Sequence, residues 1–233
     1  KINYLRVSVT DKCNLRCSYC MPADGVAVLQ HEDILSYEEI TEVVRYGVGN
    51  GIDKVRITGG EPLVRRDITR LVEMLSQIEG IRDLSMTTNG LLLERYAESL
   101  VKAGLQRVNV SLDTLDAEKF SKITRGGALE KVLTGLEAAR EAGLTPIKIN
   151  TVLHQSFDEH DRQALTAFCR TKGYELRFIR EMDLAEGTFS KVEGGRGGDC
   201  PRCNRLRLTP HGRLSPCLFS NLGYDVRELG IAR

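Results

Sequence analysis

Short strand-like runs recur along the chain, separated by longer stretches whose apolar positions repeat at three and four residues. Tyr4-Leu-Arg-Val-Ser-Val-Thr begins the series. Lys54-Val-Arg-Ile-Thr, Leu84-Ser-Met-Thr-Thr, Arg107-Val-Asn-Val-Ser-Leu, Ile147-Lys-Ile-Asn-Thr-Val and Glu175-Leu-Arg-Phe-Ile continue it. Between them the pattern predicts helices. Ser36-Tyr-Glu-Glu is a capping box opening a helix that runs to Gly49. Asp67 is expected to cap a helix whose buried face is Ile68, Leu71, Val72 and Leu75. A third helix follows Asn89-Gly90 as far as Ala103, and the crossover from Asp116 to Ala142 holds two pieces around Gly126-Gly127. Glu159 to Lys172 forms the last. Strands alternating with helices every ~25–35 residues give the rhythm of a parallel α/β sheet. Right-handed crossovers curl such a sheet into a barrel, here a partial (βα)6 TIM-like barrel over residues 1–183.

Past residue 183 the rhythm stops. Gly194-Gly-Arg-Gly-Gly leads to Cys200-Pro-Arg-Cys203, a strand-like Arg205-Leu-Arg-Leu, a turn at Pro210-His-Gly, and Cys217. Residues 184–233 are therefore expected to form a small appended C-terminal domain.

Active sites in βα folds gather at the carboxyl ends of the strands. Five polar stretches fall there: a cysteine loop after the first strand, Gly59-Gly60-Glu61-Pro62, Thr87-Thr88-Asn89, Ser111-Leu-Asp113, and Met182. The two glycines are expected to let a ligand approach the backbone, with strand-end amides meeting a charged head group. An ordinary βα turn is the plainer reading of the same glycines.

Composition changes little in this picture. The 233 residues are 41% hydrophobic and 28% charged with a net charge of +1, so no global basic field argues for nucleic acid. No apolar run approaches the ~18 residues of a membrane span, and the first residues do not read as a signal peptide. Cysteine usage matters more. Six of seven cysteines form two tight sets, which suits metal ligation in a reducing cytoplasm better than a disulfide framework. Cys169, on a helix, reads as a buried apolar residue. Asn109-Val-Ser matches a glycosylation acceptor but lies inside a strand, so it reads as chance.

The first set, Cys13, Cys17 and Cys20, can wrap one compact object. Thiolates select zinc, cuprous ions or iron–sulfur clusters. Three thiols on a four-iron cubane leave one iron open to other ligands. Zinc would need a fourth protein ligand, and His31 is the nearest candidate. Cys200, Cys203 and Cys217 form the second set. There His211 could complete a zinc site, although Pro210-His-Gly reads as a hairpin tip pointing away. Basic residues gather near the second set: Arg205 and Arg207 alternate on one strand face, and Arg6, Arg56, Lys148 and Arg177 lie on barrel strands. They read either as partners of strand-end carboxylates or, together, as the lining for a polyphosphate, whose oxygens match guanidinium forks.

The spacing C-x3-C-x2-C after a first strand, beside Gly59-Gly60-Glu61-Pro62, resembles the radical S-adenosylmethionine (SAM) superfamily. The stretches Leu5–Pro22, Val55–Arg65, Thr87–Gly90, Val110–Asp113, Lys148–Asn150, Arg177–Asp183 and Cys200–Thr209 with Cys217-Leu-Phe resemble, in order, its two-cluster GTP 3′,8-cyclase family. The spacing from Met182 to Cys200 is shorter than the family's. The resemblance implies two [4Fe-4S] clusters on the two cysteine sets and SAM as cofactor. A 5′-deoxyadenosyl radical would take hydrogen from C3′ of GTP, giving 3′,8-cyclo-7,8-dihydro-GTP, the first step of molybdenum-cofactor biosynthesis. It implies SAM contacts at Tyr19, Gly59, Gly60, Glu61, Ser111 and Met182, and GTP contacts at Arg6, Arg56, Thr87, Lys148, Arg177, Arg205 and Arg207. The cluster cysteines with Arg205 and Arg207 would carry catalysis. The implied partners are a low-potential electron donor, the downstream cyclic pyranopterin monophosphate synthase and, in a homodimer, a second copy. A related two-cluster enzyme acting on a peptide or another metabolite is the alternative.

Overall fold

A computed structural model describes residues 1–25, 30–182, 190–195 and 197–231. The strands and helices alternate as β1 (Tyr4–Ser8), α1 (Tyr37–Gly49), β2 (Lys54–Thr58), α2 (Ile68–Ser76), β3 (Asp83–Thr88), α3 (Leu93–Lys102) and β4 (Arg107–Ser111). Two helices, α4 (Ala117–Thr124) and α5 (Leu129–Ala142), then lead to β5 (Lys148–Leu153), α6 (Glu159–Lys172) and β6 (Glu175–Arg180). Three short strands close the series: β7 (Arg205–Leu208), β8 (Arg213–Ser215) and β9 (Tyr224–Asp225).

All nine strands belong to one sheet in the order β6-β5-β4-β3-β2-β1-β7-β8-β9. Pairing is parallel from β6 through to β7, and β6 does not pair with β1 among the described residues, so the barrel is open. Strand residues alternate between faces. Leu5, Val7, Val55, Ile57, Leu84, Met86, Val108, Val110 and Ile149 point to one side, where they form the core with the apolar stripes of all six helices. Fully covered parallel strands read as continuous apolar runs. These strands do not, because their second face is polar, and that face holds the site.

The capping box at α1 is formed: the Ser36 hydroxyl accepts from the Glu39 amide at 3.1 Å, and Glu39 accepts from the Ser36 amide at 2.6 Å. Arg227, near the other end of the chain, grips the same carboxylate through two bonds of 2.7 and 3.1 Å. Asp67 departs from expectation. Its backbone is left-handed (φ 55°) and its side chain makes no cap bond, so α2 starts without one. Cys169 is buried in the core, as expected. Asn109 has no exposed surface, which agrees with reading its sequon as chance.

The segment after 183 joins the sheet through β7, which lies parallel to β1. Asn204 fastens the junction: its carbonyl accepts from the amides of Asn3 and Tyr4 at 3.1 Å each, and its amide group donates to the Asn3 side chain at 2.6 Å. Beyond β7 the chain turns back at Pro210-His-Gly into β8, a hairpin as the sequence predicts, with His211 exposed at its tip.

Candidate active site

Because β1 to β7 are parallel, their carboxyl ends share one rim. The loop carrying Cys13, Cys17 and Cys20 leaves β1 there. Cys17 and Cys20 are held in one tight turn, with the amides of Cys20 and Met21 donating to the Cys17 carbonyl at 2.9 and 3.2 Å. The loop is tied to its surroundings on three sides. Asn89, just past β3, donates to Asn14 at 2.8 Å and approaches the Cys13 sulfur at 3.9 Å. At the end of α4, the carbonyls of Thr124 and Ile123 accept from the amides of Arg16 and Ser18. Arg125, itself left-handed at φ 55°, donates to the carbonyls of Arg16 and Met21, both at 2.9 Å. On the third side the Tyr19 hydroxyl donates to Asp113 at 2.6 Å.

Arg125→Gly tests the second tie, because glycine tolerates the same backbone conformation. The fold should melt within a degree or two of wild type. Losing the clamp should speed iron release to a chelator about 5-fold, the order expected for two exposed hydrogen bonds.

Gly59 and Gly60 serve this loop too. A Cβ on Gly60 would stand 2.4 Å from the Lys12 carbonyl oxygen, and one on Gly59 would stand 2.8 Å from that of Thr10. The Gly60 and Glu61 amides donate to those carbonyls at 2.8 Å. This corrects the expectation that the amides are open to a charged head group. The glycines let the chain pack against the cysteine loop. Glu61 is buried beneath. It accepts from the Leu63 amide (3.0 Å), the Thr88 hydroxyl (2.8 Å) and the Asn89 amide (2.7 Å). Burial raises its pKa above the ordinary carboxylate value, with the three donors pulling the other way. It braces the rim and does not line it. Ser111 and Met182 reach the same rim from the ends of β4 and β6.

The Cys17 thiol is pushed up to about 12, first by burial, then by Asp113, then by Cys20 and Cys13. All three cysteines lie on the one loop that leaves β1. Yet among the described residues no three His, Cys, Asp or Glu side chains converge as ligands of a single ion. A tetrahedral zinc would hold its sulfurs ~3.8 Å apart. Three thiols on one loop suit a cubane that offers each sulfur a different iron and leaves the fourth iron open. The side chain of His31 lies outside the described residues. Cys200, Cys203 and Cys217 line one pocket together with Arg205, Arg207, Asp199 and Phe219, and His211 is not part of it. This triad sits at the amino end of β7 and the first at the carboxyl end of β1. The polar sheet face lies between them, and the length of β1 alone is ~16 Å.

That face is dominated by cations. Register places Arg207 beside Arg6, Arg6 beside Arg56, Arg56 beside Ser85, and Ser85 beside Arg107. Neighbouring strands are ~4.8 Å apart, and like charges directly opposite repel. Arg6 and Arg56 are each lowered to about 10, chiefly by burial, with neighbouring arginines adding to the shift. Arg177 and Arg207 are lowered for the same first reason. Compensation is partial: Lys148 and Arg177 share Glu175, and Arg107 is bonded to Asp83 at 2.6 Å. The Nε atoms of Arg6 and Arg177 and the Thr87 hydroxyl are buried without a partner among the described residues. Tyr4 is wedged between Arg56 and Arg205, whose guanidinium carbons lie 5.3 and 5.7 Å from its ring centroid.

Sequence reasoning missed Tyr4 and Arg107, whose place on the polar face depends on register. It also missed Asp113 and His154 as partners of Tyr19. Asp113 was visible only as a strand-end acid, and nothing local marked His154.

Two cysteine triads at opposite ends of a cationic sheet face, in an open βα barrel, define the class. The chain belongs to the Radical SAM superfamily, whose model matches residues 7–169. Within it, the chain belongs to the family of its curated relatives called GTP 3′,8-cyclase. It is 42% identical to that protein of Alkaliphilus oremlandii, over 98% of this chain and 84% of the relative. It is 40% identical to that of Thermodesulfovibrio yellowstonii, over 98% and 85%. Both alignments exceed the 233 residues of this chain, so these relatives carry segments it lacks. Among solved structures, Streptococcus suis SuiB bound to S-adenosylmethionine shares the fold at TM-score 0.72 and 15% identity, covering 97% of this chain and 63% of SuiB. Native anSMEcpe with bound AdoMet shares it at 0.65 and 17%, covering 94% of this chain and 76% of anSMEcpe.

Proposed function

We propose that the protein is a GTP 3′,8-cyclase of the cytoplasm that converts GTP to 3′,8-cyclo-7,8-dihydro-GTP for molybdenum-cofactor biosynthesis. Membership of the superfamily implies a [4Fe-4S] cluster and SAM. A second cluster on Cys200, Cys203 and Cys217, with one open iron, completes the proposal. The observation that carries it is the register-aligned row Arg207, Arg6 and Arg56 running between the triads. Guanidinium groups at strand spacing with no carboxylate partner among the described residues suit a ligand with several negative charges, and a triphosphate supplies them.

In this reading Cys13, Cys17 and Cys20 hold the first cluster, with SAM against Tyr19, Gly60, Ser111 and Met182. When bound, this pair supplies one-electron, hydrogen-abstracting chemistry at ribose C3′. The chain's own residues bind and orient. Arg6, Arg56, Lys148, Arg177, Arg205 and Arg207 neutralise the phosphates, and Thr87 offers its unpartnered hydroxyl to the substrate. A low-potential donor supplies the electron, and cyclic pyranopterin monophosphate synthase takes the product.

The test is anaerobic: reconstituted protein with dithionite, SAM and GTP. About eight irons with matching sulfide are expected from two cubanes, together with deoxyadenosine and the cyclised nucleotide. SAM cleavage with GTP returned intact would keep the superfamily chemistry and overturn the substrate.

A further inference from the structure

Tyr19 lies between two cluster ligands in sequence, and its surroundings are more elaborate than packing requires. Its hydroxyl donates to Asp113 at 2.6 Å, a short bond of the charge-assisted kind. The other carboxylate oxygen of Asp113 accepts from the Val152 amide at 2.8 Å, which fixes the acid on the end of β5. The ring of Tyr19 stacks on His154, centroids 5.4 Å apart and planes 11° from parallel. His154 is 8% exposed. Its Nδ1 accepts from the Ser156 amide at 3.2 Å, which leaves the proton of the neutral ring on Nε2. That Nε2 is buried and has no partner among the described residues. A buried N–H without an acceptor is costly and calls for an explanation.

We infer that His154 and Asp113 are positioning residues for the first cluster, acting through Tyr19, and that the spare Nε2–H of His154 is a donor to the adenosyl part of SAM. The inference rests on the proposed function. Asp113 fixes the phenol and His154 fixes the ring, so the turn bearing Cys17 and Cys20 is anchored to the ends of β4 and β5. His154 directly follows β5, on the rim that also carries Gly60, Ser111 and Met182, where the proposed function puts the cofactor. Adenine nitrogens and ribose oxygens are acceptors of the right kind.

The experiment uses reconstituted holoprotein and two readouts besides turnover. One is iron release to a chelator. The other is SAM affinity, followed by the change SAM causes in the electron paramagnetic resonance of the reduced cluster. His154→Ala removes stack and donor together: iron release should rise about 2- to 12-fold, the worth of an aromatic pair, and SAM affinity should fall. His154→Phe keeps a ring for Tyr19. It should return iron release to within about 2-fold of wild type, while SAM affinity stays about 3- to 10-fold weaker for want of one hydrogen bond. Tyr19→Phe should release iron about 10-fold faster, because it loses the bond to a charged group. Melting curves of the metal-free variants separate these effects from loss of fold. If all variants retain iron and bind SAM as wild type does, the inference fails alone. If the wild-type cluster shows no response to SAM, the reading of the site fails and takes the inference with it.

Discussion

Arg6→Met will raise the melting temperature of the ligand-free protein and, in the same variant, weaken GTP binding by about 10- to 100-fold, the worth of a lost charged hydrogen bond. The two effects share one cause. Arg6 stands between Arg207 and Arg56 in direct register, its Nε has no partner among the described residues, and burial followed by Arg207 pulls its pKa down to about 10. A cation held there without its counter-ion costs the fold free energy. An apolar chain of similar length should return about 1–2 kcal/mol, or ~2–8 °C for a chain of this size. With GTP present the variant loses this advantage. Ligand at a hundred times the wild-type dissociation constant adds about 2.7 kcal/mol to the wild type, and a variant that binds 10- to 100-fold more weakly forfeits about 1.3–2.3 kcal/mol of that. Differential scanning fluorimetry with and without GTP, beside equilibrium binding, checks both signs. A variant that melts lower than wild type without ligand would show that Arg6 is a structural ion pair.

This row of arginines also marks where local reading stops. The six βα units were legible because each is decided by residues near one another, as in the capping box at Ser36 and Glu39 or the break at Gly126-Gly127. Arg6, Arg56, Arg205 and Arg207 were visible as strand residues, and a polyphosphate lining was a fair reading of them. Their adjacency was not visible, because it depends on strand register and on β7 pairing with β1, some 200 residues away in sequence. The extension looked detached for that reason. Gly59-Gly60 was located correctly and explained only in part, since what approaches the glycines is the cysteine loop. Asp67 shows the opposite failure: the cap signal is present, but the left-handed backbone turns the side chain away from the helix end.

Glu61→Ala will cost more than its place in the turn suggests, because the carboxylate accepts from three donors, one in its own turn and two at the end of β3. Removing it strands the buried amide of Leu63, that of Asn89 and the Thr88 hydroxyl. Unsatisfied buried donors cost about 1–3 kcal/mol each, so a loss of about 3–5 kcal/mol is expected, or ~6–20 °C in melting temperature. Glu61→Gln is the sharper experiment. Its amide keeps one oxygen for the Leu63 and Thr88 donors but turns an NH2 group toward the Asn89 amide, donor against donor. The fold should survive with a smaller loss, while Asn89 shifts and the tie from its side chain to Asn14 and Cys13 loosens. The expected signature of Gln is near-native melting with faster iron release from the first triad, measured against a chelator. If Gln releases iron at the wild-type rate, Glu61 supports only the turn, and the link from its carboxylate through Asn89 to Cys13 is broken.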